Sequence, residues 1–186
     1  MTERKKLYIG ILSVIVLVVT VVSVSYAYFT ANITGIENAS TISLSAGRMV
    51  ISYAEDNFLE VRNIYPREEE WATKRFALTG TNTTELDMEY NIYLNVESNT
   101  FSNNALTYTL NGYSPTENQD VVNVSNQTPI PNTLGPLLLG SGKFTEADGV
   151  IHNYVLKIYF PDTGVDQNTD QEKEIRAKIN ITDGKE

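Results

Sequence analysis

The chain has 186 residues, a formal net charge of −9 at neutral pH and no cysteine. Without cysteine it cannot form disulfide bonds or a thiolate metal site, and its acidity argues against nucleic acid as a partner, because negative charge repels phosphate groups. The length fits one domain behind an N-terminal segment, and a domain of that size can bury a core without cross-links.

The N-terminus has the layout of a secretory signal. Basic residues at positions 4–6 precede the run Leu7–Val24, in which every residue is apolar, small or hydroxylated. Ser25 and Ala27 then supply small side chains at the positions that a signal peptidase reads, which predicts cleavage between Ala27 and Tyr28. The apolar run is also close to the length of about 20 residues that a transmembrane helix needs. An uncleaved signal anchor is therefore the alternative to a cleaved signal peptide.

Both interpretations divide the chain at the same place. Residues 1–27 form a signal peptide or signal anchor with a net charge of +2, and residues 28–186 form an acidic extracellular domain. Basic flanks stay on the cytoplasmic side of a membrane, so the acidic domain is the part that crosses it. We expect a protein that is secreted to an extracellular matrix or to the cell surface, and membrane-anchored if the leader is not cleaved. Its first predicted partners are the membrane during export and a signal peptidase.

Residues 28–186 alternate between apolar and polar side chains with the period of two that half-buried strands require. The clearest run is Asp87–Glu97, in which the Met, Ile, Leu and Val residues all occupy even positions. Such alternation is typical of antiparallel sheets with one buried face. The predicted strands are Tyr28–Thr34, Thr41–Ser45, Arg48–Ala54, Lys74–Thr79, Asp87–Glu97, Leu106–Asn111, Val150–Phe160 and Lys173–Thr182.

Turn-forming residues such as Gly80 and Asn111-Gly112 separate these runs. Glu68–Lys74 favours one or two helical turns. Gln119–Gly142 is rich in proline and glycine, which predicts a long irregular loop of the kind that often carries function. The whole pattern predicts an all-β fold, an antiparallel β-sandwich that is jelly-roll-like, preceded by the N-terminal hydrophobic helix.

Four segments carry a resemblance to a known family. The leader is followed by Ser25-Tyr26-Ala27-Tyr28-Phe29-Thr30-Ala31 and Ser43-Leu44-Ser45-Ala46-Gly47, and later by Phe76-Ala77-Leu78-Thr79-Gly80-Thr81-Asn82 and Leu156-Lys157-Ile158-Tyr159-Phe160-Pro161-Asp162. Together they resemble the TasA/camelysin family of Gram-positive bacteria, whose leader is handled by a dedicated signal peptidase. The resemblance implies a jelly-roll domain that assembles into extracellular fibres of a biofilm matrix. In such fibres the N-terminal strand of one subunit completes the sheet of its neighbour.

The predicted donor strand is Tyr28–Thr34. Phe29, Ala31 and Ile33 share one of its faces and are the side chains that would be inserted into another subunit. A sandwich that lacks a strand leaves unpaired backbone groups, and an extended segment of another copy can pair with them. Because this head-to-tail exchange does not close, it predicts filaments made of copies of this chain or of a homologous fibre subunit. The alternative is that the strand pairs within its own subunit.

Candidates for catalysis are few. His152 is the only histidine, and no His-Glu-x-x-His or Gly-x-Ser-x-Gly motif accompanies it. Carboxylate pairs such as Glu55 with Asp56, or Asp87 with Glu89, fit solvated strand ends better than a glycosidase site. We therefore predict that the protein is not an enzyme, that it has no cofactor apart from a candidate calcium ion, and that His152 is an ordinary strand residue.

The best metal candidate is the acidic stretch that begins at Asp162. Asp162, Asp166, Asn168 and Asp170 offer the oxygen ligands that calcium prefers. Gln171, however, stands where a calcium loop has its turn glycine. The alternative is an acidic hairpin loop between two strands.

A second functional hypothesis keeps the leader as an anchor. The domain would then be a membrane-tethered module at the cell surface that binds a glycan, calcium or a host protein. Its binding loops would be Gln119–Gly142 or Asp162–Glu172.

Overall fold

Extended strands account for almost all of the regular structure. A computed structural model describes residues 40–44, 47–54, 57–82, 87–145 and 148–184. These residues form ten strands and one 3-10 helix, η1 (Asn168–Asp170). The strands are β1 (Ser40–Leu44), β2 (Gly47–Tyr53), β3 (Phe58–Arg62), β4 (Ala72–Asn82), β5 (Met88–Asn99), β6 (Thr107–Tyr113), β7 (Asn123–Pro129), β8 (Gly135–Phe144), β9 (Asp148–Tyr159) and β10 (Glu174–Asp183).

The strands are arranged in two sheets. Sheet A has six strands in the order β1-β2-β4-β9-β6-β7, and sheet B has four in the order β3-β10-β5-β8. Every ladder in both sheets is antiparallel. The chain moves from one sheet to the other as it proceeds, for example from β2 in sheet A to β3 in sheet B. The predicted all-β class and the two antiparallel sheets are therefore confirmed.

The hydrophobic core lies between the two sheets. In β5, the even-numbered residues of Met88–Val96 are buried, whereas the odd-numbered ones are partly exposed or exposed. Leu156 and Ile158 of β9 belong to the same core from the side of sheet A. The hydroxyl of Tyr53 in β2 donates to the carbonyl oxygen of Ile179 in β10 at 3.2 Å, which links the sheets directly. Burial raises the pKa of that Tyr53 hydroxyl to about 12.

Most of the predicted strands are confirmed, with shifts at their ends. The runs Thr41–Ser45, Arg48–Ala54 and Lys74–Thr79 correspond to β1, β2 and β4. Those that start at Asp87, Leu106, Val150 and Lys173 correspond to β5, β6, β9 and β10. Alternation located these strands well because each has one face on the core.

The prediction of an irregular loop at Gln119–Gly142 was wrong. The segment contains all of β7 and most of β8. Both are edge strands, and proline is tolerated at an edge because one side of the strand needs no amide donor. Pro129 accordingly ends β7, and Pro136 lies near the start of β8. Proline content therefore misidentified two strands as a loop.

The prediction of helical turns at Glu68–Lys74 was also wrong. The chain bends here and enters β4 at Ala72. Arg67 stacks with its guanidinium carbon 3.5 Å from the centre of the Trp71 ring. The strand β3, which precedes this bend, was not predicted, because alternation over so few residues gives a weak signal.

Two glycines predicted to mark turns lie inside strands. Gly80 is within β4 and Gly112 within β6. A Cβ atom on Gly80 would lie 2.7 Å from Cγ of Phe144, and one on Gly112 would lie 2.5 Å from the carbonyl oxygen of Val122. Close packing, rather than a turn, explains both glycines.

The leader and the predicted donor strand, residues 1–34, lie outside the described residues. Within the part of the chain that the structure describes, no helix is long and apolar enough to cross a membrane.

Candidate functional sites

His152 lies at the centre of a buried polar cluster. It is on the inner face of β9 and has no exposed surface. The ring of Phe144 in β8 stacks on its imidazole, with 4.1 Å between the ring centres. Tyr90 of β5 and Tyr154 of β9 are equally buried beside it. The sequence indicated the burial through alternation, but it did not indicate that these side chains meet.

Hydrogen bonds join the cluster into one chain. The Tyr90 hydroxyl lies 2.6 Å from Nδ1 of His152 and 2.5 Å from the Tyr154 hydroxyl. The Tyr154 oxygen accepts the backbone N–H of Val122 at 3.1 Å. At the other end, Nε2 of His152 lies 3.2 Å from Oε1 of Gln119. This hydrogen-bonded chain therefore extends from the Val122 amide through Tyr154, Tyr90 and His152 to Gln119.

The contacts of Gln119, the last group in this series, determine which atom donates in each hydrogen bond. Gln119 Oε1 also accepts the backbone N–H of Thr145 at 3.1 Å, and the Gln119 amide nitrogen donates to the Thr145 carbonyl at 3.0 Å. Since Oε1 can only accept, the Nε2–H of His152 must donate to it. Nδ1 is then the acceptor for the Tyr90 hydroxyl in neutral His152, and Tyr154 donates to Tyr90. Each polar side-chain group in this hydrogen-bonded chain therefore has a hydrogen-bond partner.

Burial keeps these groups neutral. It lowers the pKa of His152 to about 4, against a small opposing effect from the carboxylate of Asp120. Burial also raises the pKa of Tyr90 and that of Tyr154. Both nitrogens of His152 are engaged, so neither is free to act as a base toward an outside molecule. The cluster holds residues 119–122 against the sandwich.

The segment held in this way also bonds to the edge of sheet B. The backbone N–H of Lys143 in β8 donates to the carbonyl oxygen of Asp120 at 2.9 Å, an isolated bridge between the two residues. The ammonium of Lys143 lies 2.9 Å from Asp87, and this hydrogen bond raises the pKa of Lys143. Among the described residues, Asp120 is the only one that pairs with the outer side of β8.

The four calcium candidates lie in the loop between β9 and β10, but they do not form a cluster. Asp162 Oδ1 accepts the amide of Gly164 at 2.8 Å, and Asp166 Oδ1 accepts that of Asn168 at 2.9 Å. Asn168 Oδ1 accepts from the Gln171 side chain. Over the described ranges, no three His, Cys, Asp or Glu side chains are placed to hold a metal ion. Calcium binding stays a prediction.

Asp170 has a different role from the other three. It is 6% exposed, and its Oδ1 accepts the backbone N–H of Ser102 at 2.6 Å. Hydrogen bonds from backbone amides to a buried carboxylate are strong. Asp170 therefore ties the loop before β10 to the loop after β5.

The remaining predicted sites, the cleavage residues Ala27 and Tyr28 and the donor residues Phe29, Ala31 and Ile33, lie outside the described residues. The first described strand after them is β1, which is an edge of sheet A among the described strands.

The two sheets present four edge strands, β1, β7, β3 and β8. They differ in their side chains. β3 carries exposed Glu60 and Arg62, which pair with each other at 3.4 Å. β7 is polar and mostly exposed. β8 has an exposed Leu138, and Leu134 is exposed just before it. Edge strands are candidate docking sites, because their outer backbone groups can pair with another strand.

Comparisons of the chain with protein-family models, with curated proteins and with solved structures gave no match. The resemblance to the TasA/camelysin family therefore stays a prediction from the four segments quoted above.

Proposed function

We propose that this protein is an exported structural subunit, or an accessory subunit, of an extracellular fibre or biofilm matrix. The sandwich is proposed to be a jelly roll that lacks a strand in the isolated subunit. The N-terminal strand of another copy, with Phe29, Ala31 and Ile33 directed inward, completes it. The protein is not an enzyme in this proposal, and it needs no cofactor.

The observation that carries the proposal is the position of β1. It is both the first described strand and an edge of sheet A, so the predicted donor Tyr28–Thr34 precedes an edge by only a short stretch of chain. A segment that leaves a sandwich at an edge can reach a neighbouring subunit without unfolding its own sheets. Backbone pairing supplies affinity, and alternate side chains supply register.

Export is the part of the proposal that rests on residues 1–27. A basic start, an apolar run and small residues at Ser25 and Ala27 support recognition by a signal peptidase. Cleavage between Ala27 and Tyr28 would place the donor strand at the new N-terminus, where it is free to move. Mass spectrometry of the N-terminus of the protein recovered from its producing cells tests this step.

Strand donation is tested with two versions of the chain, one starting at Tyr28 and one starting at Gly35. Size-exclusion chromatography and electron microscopy should show filaments only for the longer version. A lack of filaments from both versions would contradict strand donation, and filaments from both would place the contact elsewhere. Circular dichroism of both versions controls for folding, since each retains all ten described strands.

One observation favours a second candidate function. Leu7–Val24 is nearly long enough to span a bilayer, so an uncleaved leader would leave a membrane-tethered binding module at the cell surface. Such a module would bind a glycan, calcium or a host protein. An intact Met1 on the surface-exposed protein, together with a lack of filaments from both versions, would favour it.

A further inference from the structure

We propose that the outer edge of β8 is an interface with a second copy of this chain, in which β8 pairs antiparallel with its counterpart. The pairing would join two four-stranded sheets into one continuous sheet. It does not rest on strand donation, because it uses a different part of the chain and closes at two copies, whereas donation runs head to tail.

The first argument is the distribution of charge. The chain carries a net charge of −9, so two copies repel each other wherever charged surfaces meet. From Ser98 to Gly142 only Glu117 and Asp120 are charged. This stretch includes all of β6 and β7 and the open part of β8. This flank of the sandwich therefore carries only the two charges of Glu117 and Asp120, and a second copy that approaches there meets less repulsion than elsewhere.

The second argument is the open edge itself. Among the described residues, nothing pairs with the outer side of β8 between Gly135 and Gly142, and the bridge from Asp120 begins at Lys143. Soluble proteins commonly protect such edges with charged side chains. The opposite edge of the same sheet, β3, has Glu60 and Arg62 in that role. The open part of β8 has no charged residue.

The third argument is exposed apolar surface at the same place. Leu138 is 48% exposed and Leu134 is 69% exposed. Both belong to this weakly charged flank, and Leu138 lies on the outer face of sheet B beside Tyr93. Apolar side chains grouped at an open edge are a mark of an interaction site. Pairing of two β8 strands would shelter Leu138 at the junction.

Two features limit the length of the proposed ladder between the two β8 strands. Pro136 has no backbone N–H and ends it on one side, and the bridge from Asp120 to Lys143 ends it on the other. The available strand is therefore Leu137–Gly142, and the bulge in its ladder with β5 lies at its centre, between Leu138 and Gly140. Because of that bulge, Leu138 and Ser141 lie on the same face of β8, opposite Tyr93 and Asn91 of β5. Antiparallel pairing about that centre places Leu138 of one copy opposite Ser141 of the other.

The absence of cysteine allows a direct test. Single variants Leu138→Cys and Ser141→Cys of the full chain, purified in mild detergent, are oxidised separately and as an equal mixture. The mixture should give more disulfide-linked dimer than either variant alone. Controls are Asn153→Cys, exposed on sheet A, and Glu60→Cys, exposed on β3. All variants share residues 1–27, so any association through the leader is the same in each.

The outcomes separate this inference from strand donation. Cross-linking at β8 no greater than in the two controls would overturn it, including the case in which another segment of the chain covers β8. In the full chain in mild detergent, Leu138→Lys should also lower the sedimentation coefficient, whereas Ile151→Lys on sheet A should not. If Leu138→Lys leaves the sedimentation unchanged, the interface is elsewhere. Ala31→Asp, which is directed at the donor strand, should leave the β8 cross-link intact.

Discussion

The hydroxyl of Tyr90 lies 2.6 Å from Nδ1 of His152, and this contact joins β5 of sheet B to β9 of sheet A through the middle of the core. In neutral His152, Nε2 donates to Gln119 and Nδ1 accepts from Tyr90. A doubly protonated ring donates from both nitrogens, so one hydroxyl proton of the Tyr90–Tyr154 pair loses its acceptor within the cluster. Tyr90 and His152 therefore make the packing of the two sheets sensitive to protonation.

Stability should consequently fall in weak acid. The folded pKa of His152 is about 4, below the usual value of about 6.5 for an unfolded chain. The unfolded state thus binds more protons between these values, so the contribution of His152 is complete above pH 6.5 and is lost as the pH falls toward 4. The loss should reach roughly 3 kcal/mol. Urea unfolding at several pH values measures it.

The control for this pH dependence is His152→Gln, which cannot titrate but can still accept from Tyr90. Carboxylates contribute to acid sensitivity in both proteins, so the difference between the two curves isolates His152. Parallel curves between pH 6.5 and 4 would show that the imidazole is not held neutral.

Tyr90→Phe should destabilise the protein by about 1–3 kcal/mol, because it leaves Nδ1 of His152 without a donor and the hydroxyl proton of Tyr154 without an acceptor in a buried site. Tyr93→Phe is the matched control, since Tyr93 lies on the opposite face of the same strand. Thermal or urea unfolding compares the two. Equal stability of both variants would mean that the hydrogen bonds of Tyr90 contribute nothing to the free energy of unfolding.

Gly112→Ala should destabilise the fold by about 1–3 kcal/mol, because overpacking forces neighbouring groups apart. The new Cβ would lie 2.5 Å from the backbone oxygen of Val122 and 2.6 Å from the Tyr154 ring. Ser125→Ala, at an exposed site in β7, serves as the control. A wild-type unfolding midpoint for Gly112→Ala would contradict the close approach of residues 121–122 to β6.

Asp170→Ala should lower the unfolding free energy by about 1–3 kcal/mol, since it leaves the Ser102 amide without its partner. Asp162→Ala, which removes an exposed local contact, should have a much smaller effect. Both unfolding curves are measured with calcium and with a chelator. A large calcium-dependent stabilisation of the wild type, absent from both variants, would instead support the predicted calcium loop.

How much the sequence could predict depended on whether a strand has one clearly buried face. In β5, alternation from Met88 to Val96 gives the strand and its inner face directly. In β8, Leu137, Leu138 and Leu139 are consecutive, and a bulge in the ladder with β5 separates Leu138 from Gly140. A period of two fails there, and Pro136 strengthens the impression of a loop.

The buried polar cluster shows a second limit. Tyr90 and His152 each fall on the inner face of a predicted strand, and that much follows from the sequence. Their contact depends on which strands face each other across the sandwich, and a single sequence does not encode that order in any local pattern. Gln119, which completes the chain of hydrogen bonds, lay in the segment predicted to be a loop.

The most direct test of the account is electron microscopy of the secreted protein with Ala31→Asp compared with Ala31→Val. A buried, unpaired carboxylate opposes insertion of the donor strand, whereas valine retains an apolar side chain there. Strand donation predicts filaments from the wild type and from Ala31→Val, and folded subunits without filaments from Ala31→Asp. Abundant filaments from Ala31→Asp, or none from the wild type, would contradict it.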